Sequence, residues 1–139
     1  MDWDHTCAVT AGEVWCWGSN EDRQLGRIGG DSVTPLKIGG LTAVKMIHAG
    51  QRHNCARLVD DTTMCWGQGL EGQLGNGANP NDTATPVFVS GNHVFDDLAL
   101  GYLHTCGYDG PSVFCWGANL GETTYNTVKN TPQPVTIPP

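Results

Sequence analysis

The chain has 139 residues, the length of one ordinary domain, and sets 7 Lys and Arg against 14 Asp and Glu for a formal charge of −7. Its basic residues are scattered singly, which argues against a surface that tracks nucleic-acid phosphates, and no apolar run reaches the roughly 18 residues a membrane-crossing helix needs. Nineteen glycines and 8 prolines lie between short apolar runs, so many short strands joined by tight turns, an all-β class, are expected.

Residues 1–18 enter at once on a hairpin. Met1-Asp2-Trp3-Asp4-His5 has neither a basic region nor an apolar core, so it does not read as a secretory leader. His5-Thr6-Cys7-Ala8-Val9 runs toward Val14-Trp15-Cys16-Trp17-Gly18. If Cys7 faces Cys16, Val9 faces Val14 and a tight turn centres on Ala11-Gly12. A polar loop follows, Ser19-Asn20-Glu21-Asp22-Arg23-Gln24-Leu25-Gly26, then Thr34-Pro35-Leu36-Lys37-Ile38, which alternates behind a proline as a first or edge strand does. The stretch from Leu41 to Gly50 leads into the next hairpin.

The same order returns. His53-Asn54-Cys55 and Met64-Cys65-Trp66-Gly67 flank a three-residue tip at Val59-Asp60-Asp61, and Gln68-Gly69-Leu70-Glu71-Gly72-Gln73-Leu74-Gly75 and Thr85-Pro86-Val87-Phe88-Val89 follow. The third copy, His104-Thr105-Cys106 to Phe114-Cys115-Trp116-Gly117, turns at Gly110-Pro111. Its loop, Ala118-Asn119-Leu120-Gly121-Glu122, lacks the Gln-Leu-Gly ending, and Pro134-Val135-Thr136-Ile137 is taken as its proline strand.

The three histidines are 48 and 51 residues apart and the Trp-Gly pairs 49 and 50. A fixed period of that length marks a repeat architecture, and four short antiparallel strands per period make the blade of a β-propeller. The whole of 1–139 therefore reads as one repeat domain of about three blades. Counted from the proline strands, the chain holds two strands, then four, four and one, which is one short of three blades. On that frame it begins inside a blade and ends on a strand of the following one, leaving unfinished sheet at both ends.

These pieces, above all Ala49-Gly50 before His53-Asn54-Cys55-Ala56, Cys65-Trp66-Gly67, Gly72-Gln73-Leu74-Gly75 and Thr85-Pro86-Val87, resemble the regulator-of-chromosome-condensation repeat, the unit of a seven-bladed propeller family. The resemblance covers nearly the whole chain, and the paired cysteines look like its secreted, mainly bacterial branch. It implies a protein-binding role for the loops; the nuclear relative's nucleotide exchange on a small GTPase is a further implication, which the cysteines set in the wrong compartment.

Cys7 with Cys16, Cys55 with Cys65, and Cys106 with Cys115 would sit about 4.5–5.5 Å apart at Cα across their hairpins, within reach of a disulfide. Of about 15 pairings open to six cysteines, this one alone treats the repeats alike, and it favours an oxidising, secreted or extracellular setting. Two thiolates and the neighbouring histidine approach a zinc set, but each copy lacks a fourth ligand. His5, His53 and His104 read as buried imidazoles bonding backbone within their own blades. Trp17, Trp66 and Trp116 read as packing between blades. Trp3, Trp15, Tyr102, Tyr108 and Tyr125 lie outside that slot and would have to supply any sugar-binding platform.

A glycosylation sequon falls at Asn81. No nucleophile elbow, phosphate loop or metalloprotease helix is present, and no cofactor is expected. The reading is a non-enzymatic extracellular protein-binding or scaffold module working through loop residues Asn20, Glu21, Asp22, Arg23, Gln68, Leu70, Glu71, Asn119 and Leu120. An alternative is self-assembly, head to tail through unfinished blades into a ring or fibre.

Overall fold

The structure, a computed structural model, describes residues 4–78, 80–118 and 128–139. In chain order its strands are β1 (His5–Thr10), β2 (Glu13–Gly18), β3 (Ser32–Lys37), β4 (Val44–Ala49), β5 (His53–Leu58), β6 (Thr63–Gly67), β7 (Thr83–Phe88), β8 (Asp97–Leu100), β9 (His104–Asp109), β10 (Ser112–Gly117) and β11 (Lys129–Val135). They form three antiparallel sheets ordered β1-β2-β3, β4-β5-β6-β7 and β8-β9-β10-β11. Each is a propeller blade. Among the described residues no helix is long and apolar enough to cross a membrane.

The hairpins follow the cysteine register. Cys7 pairs Cys16, Cys55 pairs Cys65 and Cys106 pairs Cys115. The first turn closes between Thr10 and Glu13 with Ala11 and Gly12 both at positive φ, the geometry that matches the twist of the flanking arms. In the middle copy the Leu58 N–H bonds the Thr62 carbonyl around Val59-Asp60-Asp61, and Asp61 takes the left-handed conformation. Each proline strand slips register against its hairpin, between Cys16 and Gly18, Cys65 and Gly67, and Cys115 and Gly117. Proline has no N–H for the ladder, and a bulge is where a sheet accommodates that loss. The tryptophan of each repeat stands opposite the slip.

One expectation fails at the C-terminal end. The last strand pairs with β10 and completes the third blade, so it does not belong to a following one. Its proline frame also starts two residues earlier: Gln133 faces Cys115 as Val87 faces Cys65, which puts Thr131-Pro132, not Pro134, in the Thr-Pro position. The count is three, four and four strands, and of the described blades the first alone has three.

The core lies between blades. Val14, Leu25, Ile38 and Leu41 of the first repeat meet Val44, Ala56, Leu58, Met64 and Trp66 of the second. Leu74 and the Cys55–Cys65 bond meet Phe95, Leu98 and Trp116 of the third, with the Phe95 and Trp116 rings stacked at 5.4 Å. Each blade thus buries its apolar face only against a neighbour, as repeat proteins do.

Candidate functional site in the blade joints and loops

All six cysteines are joined as Cys7–Cys16, Cys55–Cys65 and Cys106–Cys115. Their Cα separations of 4.2, 4.1 and 4.1 Å fall just under the range expected from the hairpin, since the bond draws the arms together. No thiolate is left to bind zinc.

Between blades the same polar joint is built twice. In the first, the Asn54 side chain is held between two groups of the preceding blade. Its amide nitrogen donates to the Gln24 carbonyl at 2.8 Å, so its oxygen accepts from His5 Nε2 at 2.7 Å. Trp66 Nε1 donates to the same carbonyl at 3.0 Å. In the second, the Thr105 hydroxyl donates to the Gln73 carbonyl at 2.9 Å and accepts from His53 Nε2 at 2.7 Å, while Trp116 Nε1 donates to Gln73 at 2.9 Å. The histidines therefore bond a side chain of the next blade, not backbone of their own.

The Gln-Leu-Gly ending explains how a carbonyl is presented there. The Gln24 and Gln73 side chains turn back to accept from the Asp22 and Glu71 N–H groups, which closes the loop. Leu25 and Leu74 anchor it in the core. Gly26 and Gly75 finish the turn at φ +68°, and a Cβ on Gly75 would lie 2.6 Å from the Trp116 ring. Only glycine lets the loop close onto the next blade's indole.

Burial keeps the joint histidines neutral. His53 is pushed down to about 3 by desolvation first, with His5 and His104 adding repulsion. Desolvation also lowers His5, against the stabilising bond from Asn54 and the charge of Asp4. At the loop end of the sheets Arg52 lies 3.4 Å from Asp22 of the first blade and 5.2 Å above the Tyr102 ring of the third. Asp22 is nonetheless held above the ordinary carboxylate range, because burial outweighs the attraction of Arg52.

The loop residues expected to meet a partner divide in two. Asn20 and Gln68 are buried and work inside their loops: Asn20 donates to the Arg27 and Gly29 carbonyls and accepts from the Leu25 N–H, and Gln68 accepts from the Gln73 amide. A partner cannot reach them without opening the turn. Glu21, Arg23 and Leu70 are exposed, Glu71 and Asp22 half-buried, and Arg23 donates to the Asp82 carbonyl. Asn119 and Leu120, with Trp3 and Tyr125, lie outside the described residues. Trp66 and Trp116 are fully buried between blades, whereas Trp17 is half-buried on the outer face of the first. Asn81 is exposed. Sequence reasoning passed over Gln24, Gln73, Asn54 and Thr105; their signal is the motif itself, read as a main-chain acceptor.

This geometry defines a partial β-propeller held together by Trp-to-carbonyl joints. Residues 11–57 match the regulator of chromosome condensation (RCC1) repeat, and the chain is built from repeats of that family. It is 38% identical over 108 residues to the ultraviolet-B receptor UVR8 of Arabidopsis thaliana, covering 73% of this chain and 24% of the receptor. It is 32% identical to the human E3 ubiquitin-protein ligase HERC2, over 96% of this chain and 3% of the ligase. Yeast RCC1 (Prp20), solved bound to Kap60, superposes with a TM-score of 0.80 at 25% identity, over 98% of this chain and 36% of that one. The chain thus spans a minor part of each.

Proposed function

We propose that the chain is a non-enzymatic protein-interaction module that works outside the cell, with the tips of the loops after each Trp-Gly pair as its contact surface. The observation that carries this reading is the division within those loops. Buried Asn20, Gln24, Gln68 and Gln73 fix the backbone, and Glu21, Arg23 and Leu70 are left outward on a rigid base, the arrangement in which loops carry recognition. Similar blades support it: yeast RCC1 is seen with Kap60 bound, and Prp20 has binding properties toward Gsp1p and histones. The three disulfides support the extracellular setting, since a reducing cytosol works against them. Asn81, exposed and followed by Asp82-Thr83, is the glycan acceptor in a host with that machinery.

The test is affinity capture from the native extracellular medium with the oxidised chain and with a Glu21→Ala/Arg23→Ala/Leu70→Ala variant. A protein retained by the first and lost by the second is expected. No capture, or equal capture by both, overturns the loop surface. Free thiols in protein isolated from its source without reductant overturn the compartment.

A further inference from the structure

Each joint has two halves. One blade offers a socket, the histidine Nε2 and the Gln carbonyl; the next offers a plug, the Asn or Thr beside that histidine's counterpart, and the indole. The second and third blades have their plugs seated. The first blade carries the same plug in Thr6 and Trp17, with Thr6 exposed and Trp17 half-buried. Beside Trp17 lies an open cavity of about 370 Å³ lined by Asp4, Ser32 and Val33. Val33 is 96% exposed, while Ala84, which occupies its register position in the second blade, has its carbonyl 3.6 Å from where a Cβ on Gly26 would stand.

We propose that this face is a docking site for a further blade of the same repeat, one that presents a Gly-Gln-Leu-Gly loop and its histidine to Trp17 and Thr6. The interface continues one already made twice in the molecule. The third blade of a second copy is the wrong occupant. Where the second blade has Gly72-Gln73-Leu74-Gly75, the third has Glu122-Thr123-Thr124-Tyr125, and the Gly75 position tolerates no side chain against an indole. The matched yeast protein continues well beyond the 36% that this chain covers, so blades in such number exist in its relatives. This site is separate from the loop tips, and neither reading depends on the other.

The experiment gives the chain its own probe. The full chain with Glu122→Gly, Thr123→Gln, Thr124→Leu and Tyr125→Gly carries a socket loop on its third blade beside His104, and its association is compared with that of the unaltered chain by light scattering over a concentration series. The variant is expected to associate at least about tenfold more tightly, the worth of one or two good hydrogen bonds. Adding Trp17→Phe, which keeps the ring and removes the indole donor at a half-buried position, is expected to return it to the starting value. Circular dichroism confirms that each variant keeps its strands. Equal association of variant and unaltered chain overturns the proposal, as does tightening that Trp17→Phe leaves in place. Association of the unaltered chain that Trp17→Phe abolishes assigns the face to a second copy and overturns the choice of occupant.

Discussion

Strands β1 and β5 occupy the same place in consecutive blades, each opening a hairpin with a histidine and carrying its disulfide two residues on. Every residue of β5 is buried; in β1 only His5 and Cys7 are even partly covered. The two differ in their neighbours. Strand β5 has β4 on its free edge and the third blade against its face, and the described residues supply neither to β1. Burial in this molecule is therefore a property of the joint, not of the hairpin, and interactions that look equivalent along the sequence should differ in strength between the first and second blades.

The largest difference is expected at the tryptophans. Trp66→Ala removes a fully buried ring from the core between blades and an indole donor to Gln24, at a cost of about 3–5 kcal/mol. Trp17→Ala, at the half-buried equivalent, is expected to cost about 1 kcal/mol or less. Urea midpoints of the two variants test this, and equal losses would erase the distinction. Removing a disulfide comes next, at roughly 2–3 kcal/mol by loop entropy for either hairpin. The middle bond is expected to cost more than the first, because Cys55 and Cys65 also belong to the core and Cys7 is only half-buried.

Acid sharpens the same contrast. His53 sits near 3 in the fold against an ordinary 6.5, so the unfolded chain binds its proton first. The contribution is whole above about pH 6.5 and is lost as pH falls toward 3, at up to about 1.4 kcal/mol for each pH unit. His53→Gln should flatten the acid limb of a stability profile measured from pH 7 to 4, and His5→Gln, at the partly exposed first joint, should flatten it less. Equal flattening by the two would mean that the joints do not differ in how they exclude water.

Much of this was legible. Cysteines recurring at matched offsets set the hairpin register, and the turns at Ala11-Gly12 and Gly110-Pro111 followed from it. The last strand was misplaced because Thr131-Pro132-Gln133-Pro134 holds two prolines two residues apart, and a shift of two leaves every side chain on the same face. Without a Gln-Leu-Gly landmark upstream, periodicity alone could not choose between them. The joints were illegible for another reason: His5 and His53 find their partners 49 and 52 residues away, and the acceptors they share are main-chain carbonyls, which no residue type announces. The loop residues Asn20 and Gln68 look outward by composition, yet the loops close by bonding them inward.

The joints themselves use different side chains, Asn54 in one and Thr105 in the other, to bridge a histidine and a carbonyl. If the bridge is the requirement and not the residue, Asn54→Thr should cost under about 1 kcal/mol, whereas Asn54→Ala, which strands the buried Gln24 carbonyl and the His5 donor, should cost about 1–3 kcal/mol. A double-mutant cycle with His5→Ala checks that the loss runs through the joint.

The smallest effect expected is at Arg23, and it separates backbone from side chain. Arg23 holds φ at +65° where the second loop has Gly72 at +77°, a conformation that disfavours a side chain by about 1 kcal/mol, and in return its guanidinium donates to the Asp82 carbonyl at an exposed position. Glycine relieves the strain, gives up that bond, and loosens the unfolded chain. These terms oppose one another at similar size, so Arg23→Gly is expected to leave stability within about 0.5 kcal/mol. Arg23→Ala keeps the strain without the bond and should fall below both. A glycine variant less stable than the alanine one would show that the Asp82 contact is not what makes an arginine tolerable there.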